Sequence, residues 1–308
     1  MGHFLSQPLN KIVVFLLWSS SLVMFPVQAS EHPAPLKIVT SVFPLREFAS
    51  EIASDRAEVS LLLPSGASVH TWQPRASDIL RLSSADLFIY IGAGLEPWIP
   101  DLLKSLSAPG PRVLALANSL PLQEGQEHQG EEGLDPHVWL DFGLDLIIVD
   151  QIAALLSEID PASEPSFQER AERLKTRIKQ LDAAYVKGLN RCRSRTLLIG
   201  GHAAFGYMAK RYGLEQISIY GLSPDAEATP SRLMAAIERG KRSGIKAVFM
   251  EANTNSRMAA VVARELRVVV LPLHPGANLN RQEWESGRTF FDIMEENLVN
   301  LKKGLACD

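Results

Sequence analysis

From Leu36 onward, short apolar runs alternate with stretches whose apolar positions recur at helical spacing. In the first half the runs are LKIVTSVFPL (36–45), AEVSLLL (57–63), ADLFIYIG (85–92) and RVLALA (112–117), with helical patterns such as REFASEIASD and EPWIPDLLKSL between them. The second half repeats this rhythm. TLLIGG, LEQISIYG, AVFMEA and RVVVLPL read as strands, and AAFGYMAKRYG, SRLMAAIERGKRSG and SRMAAVVAREL as helices. Near-continuous apolar strands separated by amphipathic helices predict parallel sheets covered on both faces, an α/β fold.

Residues 163–190 interrupt the alternation. Phe167, Ala171, Leu174, Ile178, Leu181 and Tyr185 form a single apolar stripe on an otherwise charged segment, which predicts one helix of about 26 residues and about 39 Å. Ser163 or Asp160 is placed to cap its start. This is longer than a crossover helix needs to be. The preferred reading is therefore two α/β lobes, 30–162 and 191–308, joined by a rigid linker helix at 163–190. One long surface helix in a single domain is the plainer alternative.

The N-terminal segment changes the picture of where the chain works. Lys11 precedes the apolar run IVVFLLWSSSLVMF and then PVQAS, with Val27 and Ala29 suited to cleavage after Ala29. Residues 1–29 thus read as a signal peptide, and the mature chain is expected in a periplasm. No cysteine lies at the cleavage point, so a lipoprotein is not expected. The formal net charge of −4 offers no basic field for nucleic acid. The two cysteines, Cys192 and Cys307, can pair in an oxidising compartment or remain free.

Candidate chemistry lies in the histidines. Of seven, His3 and His32 fall in or near the leader, and His128 sits in the polar, acidic stretch NSLPLQEGQEHQGEEG, read as a surface loop. His70, His137, His202 and His274 all follow expected strand ends, the edge at which open α/β sheets place ligands. Two precede the long helix and two follow it. Converging neutral imidazoles make a plausible tetrahedral zinc site. Asp135 and Asp141 are candidates either to accept a ring N–H from a ligating histidine or to cap a turn. Trp72, Trp139, Phe205 and Tyr207 are expected to wall the site. No phosphate-loop pattern is present in IGGHAAFG or GAGLEPW.

Three motifs carry a family resemblance. GASVHTWQPRASD, DPHVWLD and GGHAAFGYMAKRYGL resemble the metal-ligand segments of ZnuA-like periplasmic zinc-binding components of metal ABC transporters, and the likeness covers nearly the whole mature chain. It implies His70, His137 and His202 as ligands, with zinc favoured over Mn²⁺ because the third position is histidine rather than glutamate. It also implies an ABC permease with its ATPase as partner, a monomeric binding protein and no enzymatic activity. The fourth position departs from the pattern: in VVLPLHPG, Leu271 stands where an aspartate is expected. His274, water or Glu251 remain open as the fourth ligand. A periplasmic zinc hydrolase with three histidines and a bound water is the rival reading, and it needs Glu251 or an aspartate as general base. An adhesin role is a third reading that no sequence feature singles out.

Overall fold

The computed structural model describes residues 1–3, 34–107, 109–125, 133–223, 229–251 and 257–308. The chain divides into Met1–Ala34 and a compact unit, Pro35–Asp308. Residues 4–29 of the expected leader and His128 lie outside the described residues. No helix among the described residues is long and apolar enough to cross a membrane.

The compact unit holds two four-stranded parallel sheets with the same strand order. The first runs β2(Ala57–Leu61)–β1(Leu36–Thr40)–β3(Leu87–Tyr90)–β4(Arg112–Ala115). The second runs β6(Glu215–Ser218)–β5(Thr196–Ile199)–β7(Ala247–Glu251)–β8(Val269–Leu273). The two-lobed α/β plan expected from the pattern is the one observed. In each sheet the first strand sits centrally and successive connections leave it in opposite directions. This creates a crevice at the carboxyl edge, where ligands of such sheets bind.

In the first half, α1(Phe43–Ala53), α2(Ala76–Ser83) and α3(Ile99–Lys104) lie between the strands. Helix α1 begins two residues after β1, earlier than the apolar run LKIVTSVFPL suggests. Pro44 lies in its first turn, where a missing N–H costs nothing. Helix α4(Phe142–Ile159) was not legible as an amphipathic pattern because it is apolar on nearly every side, and a helix of that kind belongs in the interior. The long helix α5 spans Glu164–Leu189, with all six stripe residues buried. Ser163 heads it without a side-chain cap, whereas the Asp160 carboxylate accepts hydrogen bonds from the Ser163 backbone and hydroxyl in the turn before it.

The second half contributes α6(Gly206–Arg211), α7(Pro230–Ser243), α8(Arg257–Leu266), α9(Arg281–Glu285) and α10(Phe290–Gly304). Helices α1, α4 and α10 pack on α5, and Tyr185 Oη donates to the Met294 carbonyl at 2.6 Å. One apolar core therefore runs without a break from β1 through α5 to α10. A smaller satellite core lies under α7 and α8. Cys192 and Cys307 are disulfide-bonded, tying the approach to β5 to the end of α10 across a separation of 115 residues. A loop of that length is worth about 4–5 kcal/mol on the chain-entropy account.

Candidate metal centre

Each of the four strand-end histidines is delivered by the edge of a sheet. His70 lies in the turn after β2, where Trp98 Nε1 donates to the Val69 carbonyl at 2.8 Å. The base of this turn is held from the second half of the chain. Asn278 Nδ2 donates to the Pro64 and Ala67 carbonyls at 2.7 and 2.9 Å, and Gly66 N donates to the Leu279 carbonyl at 2.8 Å. His137 precedes the single 3-10 turn Val138–Leu140 that leads into α4. His202 follows β5, and Glu251 ends β7, the neighbouring strand.

Among the described residues, His70, His137 and His202 each place a ring nitrogen within 4.8 Å of the other two. The ring centroids stand 5.1–5.5 Å apart, and Nε2 of His137 lies 3.2 Å from Nε2 of His202. Two nitrogens bound tetrahedrally to one Zn²⁺ at about 2.0–2.1 Å would stand about 3.3 Å apart. The spacing therefore matches a shared metal as well as it matches a hydrogen bond.

The far side of each ring explains why the Nε2 atoms face inward. His137 Nδ1 is 2.8 Å from Asp135 Oδ1, which also accepts the His137 backbone N–H at 3.0 Å. His202 Nδ1 is 2.7 Å from Glu251 Oε2. A carboxylate only accepts, so each Nδ1 carries the proton and each Nε2 keeps its lone pair for a metal. Both carboxylates rest against glycines. A Cβ on Gly201 would come within 2.8 Å of Glu251 Oε2, and one on Gly206 within 2.5 Å of Asp135 Oδ2.

Electrostatics keep the His70 and His137 rings neutral. His137 is 1% exposed and His202 4%. Burial and the two neighbouring imidazoles push the His70 imidazole down to about 2. Burial lowers that of His137 as well, against the pull of Asp135. Unprotonated imidazole is the form that ligates.

His274 is not in the cluster. Its Nδ1 accepts from Gly276 N at 2.8 Å, its Nε2 lies 3.4 Å from Glu283 Oε1, and its backbone is clasped by Asn297. Asp141 caps α4 through Gly143 N and pairs with Arg211, so it serves the helix rather than a histidine. Trp139 stacks edge-on to His137 and anchors its indole N–H on the Pro275 carbonyl at 2.7 Å. Trp72 packs on Trp98, and Phe205 is wholly buried. Sequence reasoning missed Gln123, Trp98 and Asn278, whose roles arise from chain segments far apart in sequence and carry no local signal.

Two parallel-sheet lobes on one long helix, with histidines from both lobes converging at the sheet edges, are the plan of a two-lobed metal-binding protein of the solute-receptor type. The family described as zinc-uptake complex component A, periplasmic (ZnuA), matches residues 38–304, and the chain belongs to it. The high-affinity zinc uptake system protein ZnuA of Bacillus subtilis is 31% identical over 280 residues, covering 88% of both chains. The zinc-binding lipoprotein AdcA of Streptococcus pneumoniae is 32% identical over 94% of this chain, which spans 60% of the AdcA length. The Zn(II)-bound ZnuA-like domain of that AdcA superposes with a TM-score of 0.75 at 32% identity, over 88% of this chain and 99% of the domain.

Proposed function

We propose that the chain is a zinc receptor. It captures Zn²⁺ between its lobes, 30–162 and 191–308 with the linker at 163–190, and as a periplasmic monomer hands the ion to an ABC permease driven by a separate ATPase. His70, His137 and His202 supply three ligands. The observation that carries this reading is the pair of inward Nε2 atoms 3.2 Å apart, each backed by a carboxylate on Nδ1. A neutral three-imidazole site suits Zn²⁺ better than Mn²⁺, which favours oxygen ligands. Family membership and the zinc-named relatives support the same metal.

Solvent takes the fourth place. His274 Nδ1 accepts a backbone N–H, so the proton of its neutral ring sits on Nε2. Ligation through Nε2 would require the opposite tautomer and loss of that bond. Hydrolysis is disfavoured because a general base is needed beside the water, and the two nearest carboxylates are already engaged with ring nitrogens. The unbroken core across α5 opposes a wide hinge, so delivery proceeds through small lobe movements.

Zinc titration of the mature chain tests the reading. One tight site, lost in His137→Ala and kept in His274→Ala, is expected. Absence of tight binding would overturn it, and loss in His274→Ala would return the fourth position to that residue. Small-angle scattering that shows a large closure on zinc addition would refute the small-motion mechanism.

A further inference from the structure

Asp135, which fixes the His137 ring, is itself held from the opposite lobe. Tyr207, on α6 of the second lobe and 3% exposed, puts its hydroxyl between two strands of first-lobe backbone. It accepts from Gln123 N at 3.1 Å and donates to the Asp135 carbonyl at 3.1 Å. These two segments also pair with each other: Asp135 N donates to the Gln123 carbonyl at 2.9 Å, and Glu124 bridges Leu134. The adjacent Gly206 presses on the carboxylate, where a Cβ would sit 2.5 Å from Oδ2 and 3.1 Å from Gln123 Nε2. Gln123 Nε2 donates to the same Oδ2 at 3.1 Å. Every polar atom of Asp135 is thus assigned. Oδ1 serves His137, while Oδ2, the carbonyl and the N–H are set by Gln123 and the head of α6.

His202 is supported differently. Its partner Glu251 ends β7, the strand next to β5 in the same sheet, so that contact lies within the second lobe. Lobe displacement would therefore loosen the two histidines unequally.

We propose that Tyr207 and Gly206 are positioning residues that make the hold of His137 on zinc depend on contact between the lobes. This rests on the zinc reading above. When α6 draws back, the Asp135 peptide loses its hydroxyl clamp and its carboxylate loses its stop. The His137 ring then loses the partner that fixes its tautomer, and zinc leaves from the first-lobe side while His202 stays ordered. A metal-ligating histidine whose outer partner is disturbed loses about 10–100-fold in affinity.

The test measures zinc dissociation from the full chain into a chromophoric chelator, the visible d–d spectrum of the Co²⁺-loaded chain, and the melting midpoint of the metal-free chain. Tyr207→Phe keeps the ring and removes only the hydroxyl. It is expected to speed dissociation about 10-fold and to alter the Co²⁺ bands, with the metal-free midpoint nearly unchanged. Gln123→Ala, which leaves α6 intact, should move dissociation the same way by a smaller factor. In Asp135→Asn/Tyr207→Phe, zinc should leave no faster than in Asp135→Asn alone, because Tyr207 acts through Asp135. A Tyr207→Phe rate within twofold of wild type, or full additivity in the double variant, overturns the proposal while leaving zinc binding intact. A wild-type chain that holds no zinc overturns both readings.

Discussion

His202 and His274 leave the carboxyl ends of β5 and β8, two strands of one sheet separated only by β7. They are almost equally buried, at 4% and 5% exposure, yet they present opposite ring edges. His202 meets a carboxylate through Nδ1, so its Nε2 lone pair points to the cluster. His274 meets a backbone N–H through Nδ1, so its Nε2 bears the proton and turns to Glu283. Position at a sheet edge makes a histidine a candidate ligand. The partner on its other nitrogen decides whether it can serve.

The largest expected effect tests that contrast directly. His202→Ala should weaken zinc binding by more than about 100-fold, whereas His274→Ala should change it by less than about threefold; competition with a chelator of known affinity measures both. Comparable losses would erase the distinction. Next in size, Asp135→Asn and Glu251→Gln should each weaken zinc about 10–100-fold, because an amide can donate to Nδ1 and so favour the wrong tautomer. Glu283→Gln, beside His274, should leave zinc affinity near wild type by the same titration.

A smaller effect should appear in stability against pH. The unfolded chain protonates His70 near 6.5, while the folded chain resists down to about 2. The unfolded state thus binds more protons throughout that window. Stability is complete above it and falls as the pH drops through 6.5. Urea midpoints of the metal-free chain at pH 7.5 and pH 5 should fall further for wild type than for His70→Asn. Equal falls would show that the His70 environment does not oppose protonation.

The smallest effect concerns a carboxyl that lacks what Asp135 and Glu251 have. Asp145, on α4, is fully buried, and neither side-chain oxygen has a hydrogen-bond partner. Burial and the nearby Asp141 carboxylate raise its titration well above the usual range. Its folded form keeps a proton that the unfolded chain releases, so stability is lost as the pH rises above about 4. Asp145→Asn should stabilise the chain by about 1 kcal/mol at pH 7 and by less at pH 4. No gain in denaturant unfolding at pH 7 would mean that the carboxyl is better solvated than its burial implies.

Much of this molecule was legible without coordinates. Alternating apolar runs announced both parallel sheets, and the stripe from Phe167 to Tyr185 announced α5, because burial on one face leaves a periodic trace. Helix α4 left no such trace, because apolar residues such as Ile147 and Ala154 also stand on its exposed face. The histidines at strand ends were visible as candidates, and the motif around His137 pointed to it most strongly. The pairing of Cys192 with Cys307 was an open choice, since two cysteines state a possibility and not a distance.

The sequence by itself determined the α/β class, the two-lobe plan and the residue types that could meet a metal. Only the tertiary structure decided which imidazoles converge, what meets Nδ1 of His137, His202 and His274, and that Tyr207 of one lobe clamps Asp135 of the other. The reason is physical. Secondary structure follows from local periodicity and burial, whereas a tautomer is set by whichever donor or acceptor lies within about 3 Å of the ring. In this chain those partners come from other strands and the other lobe.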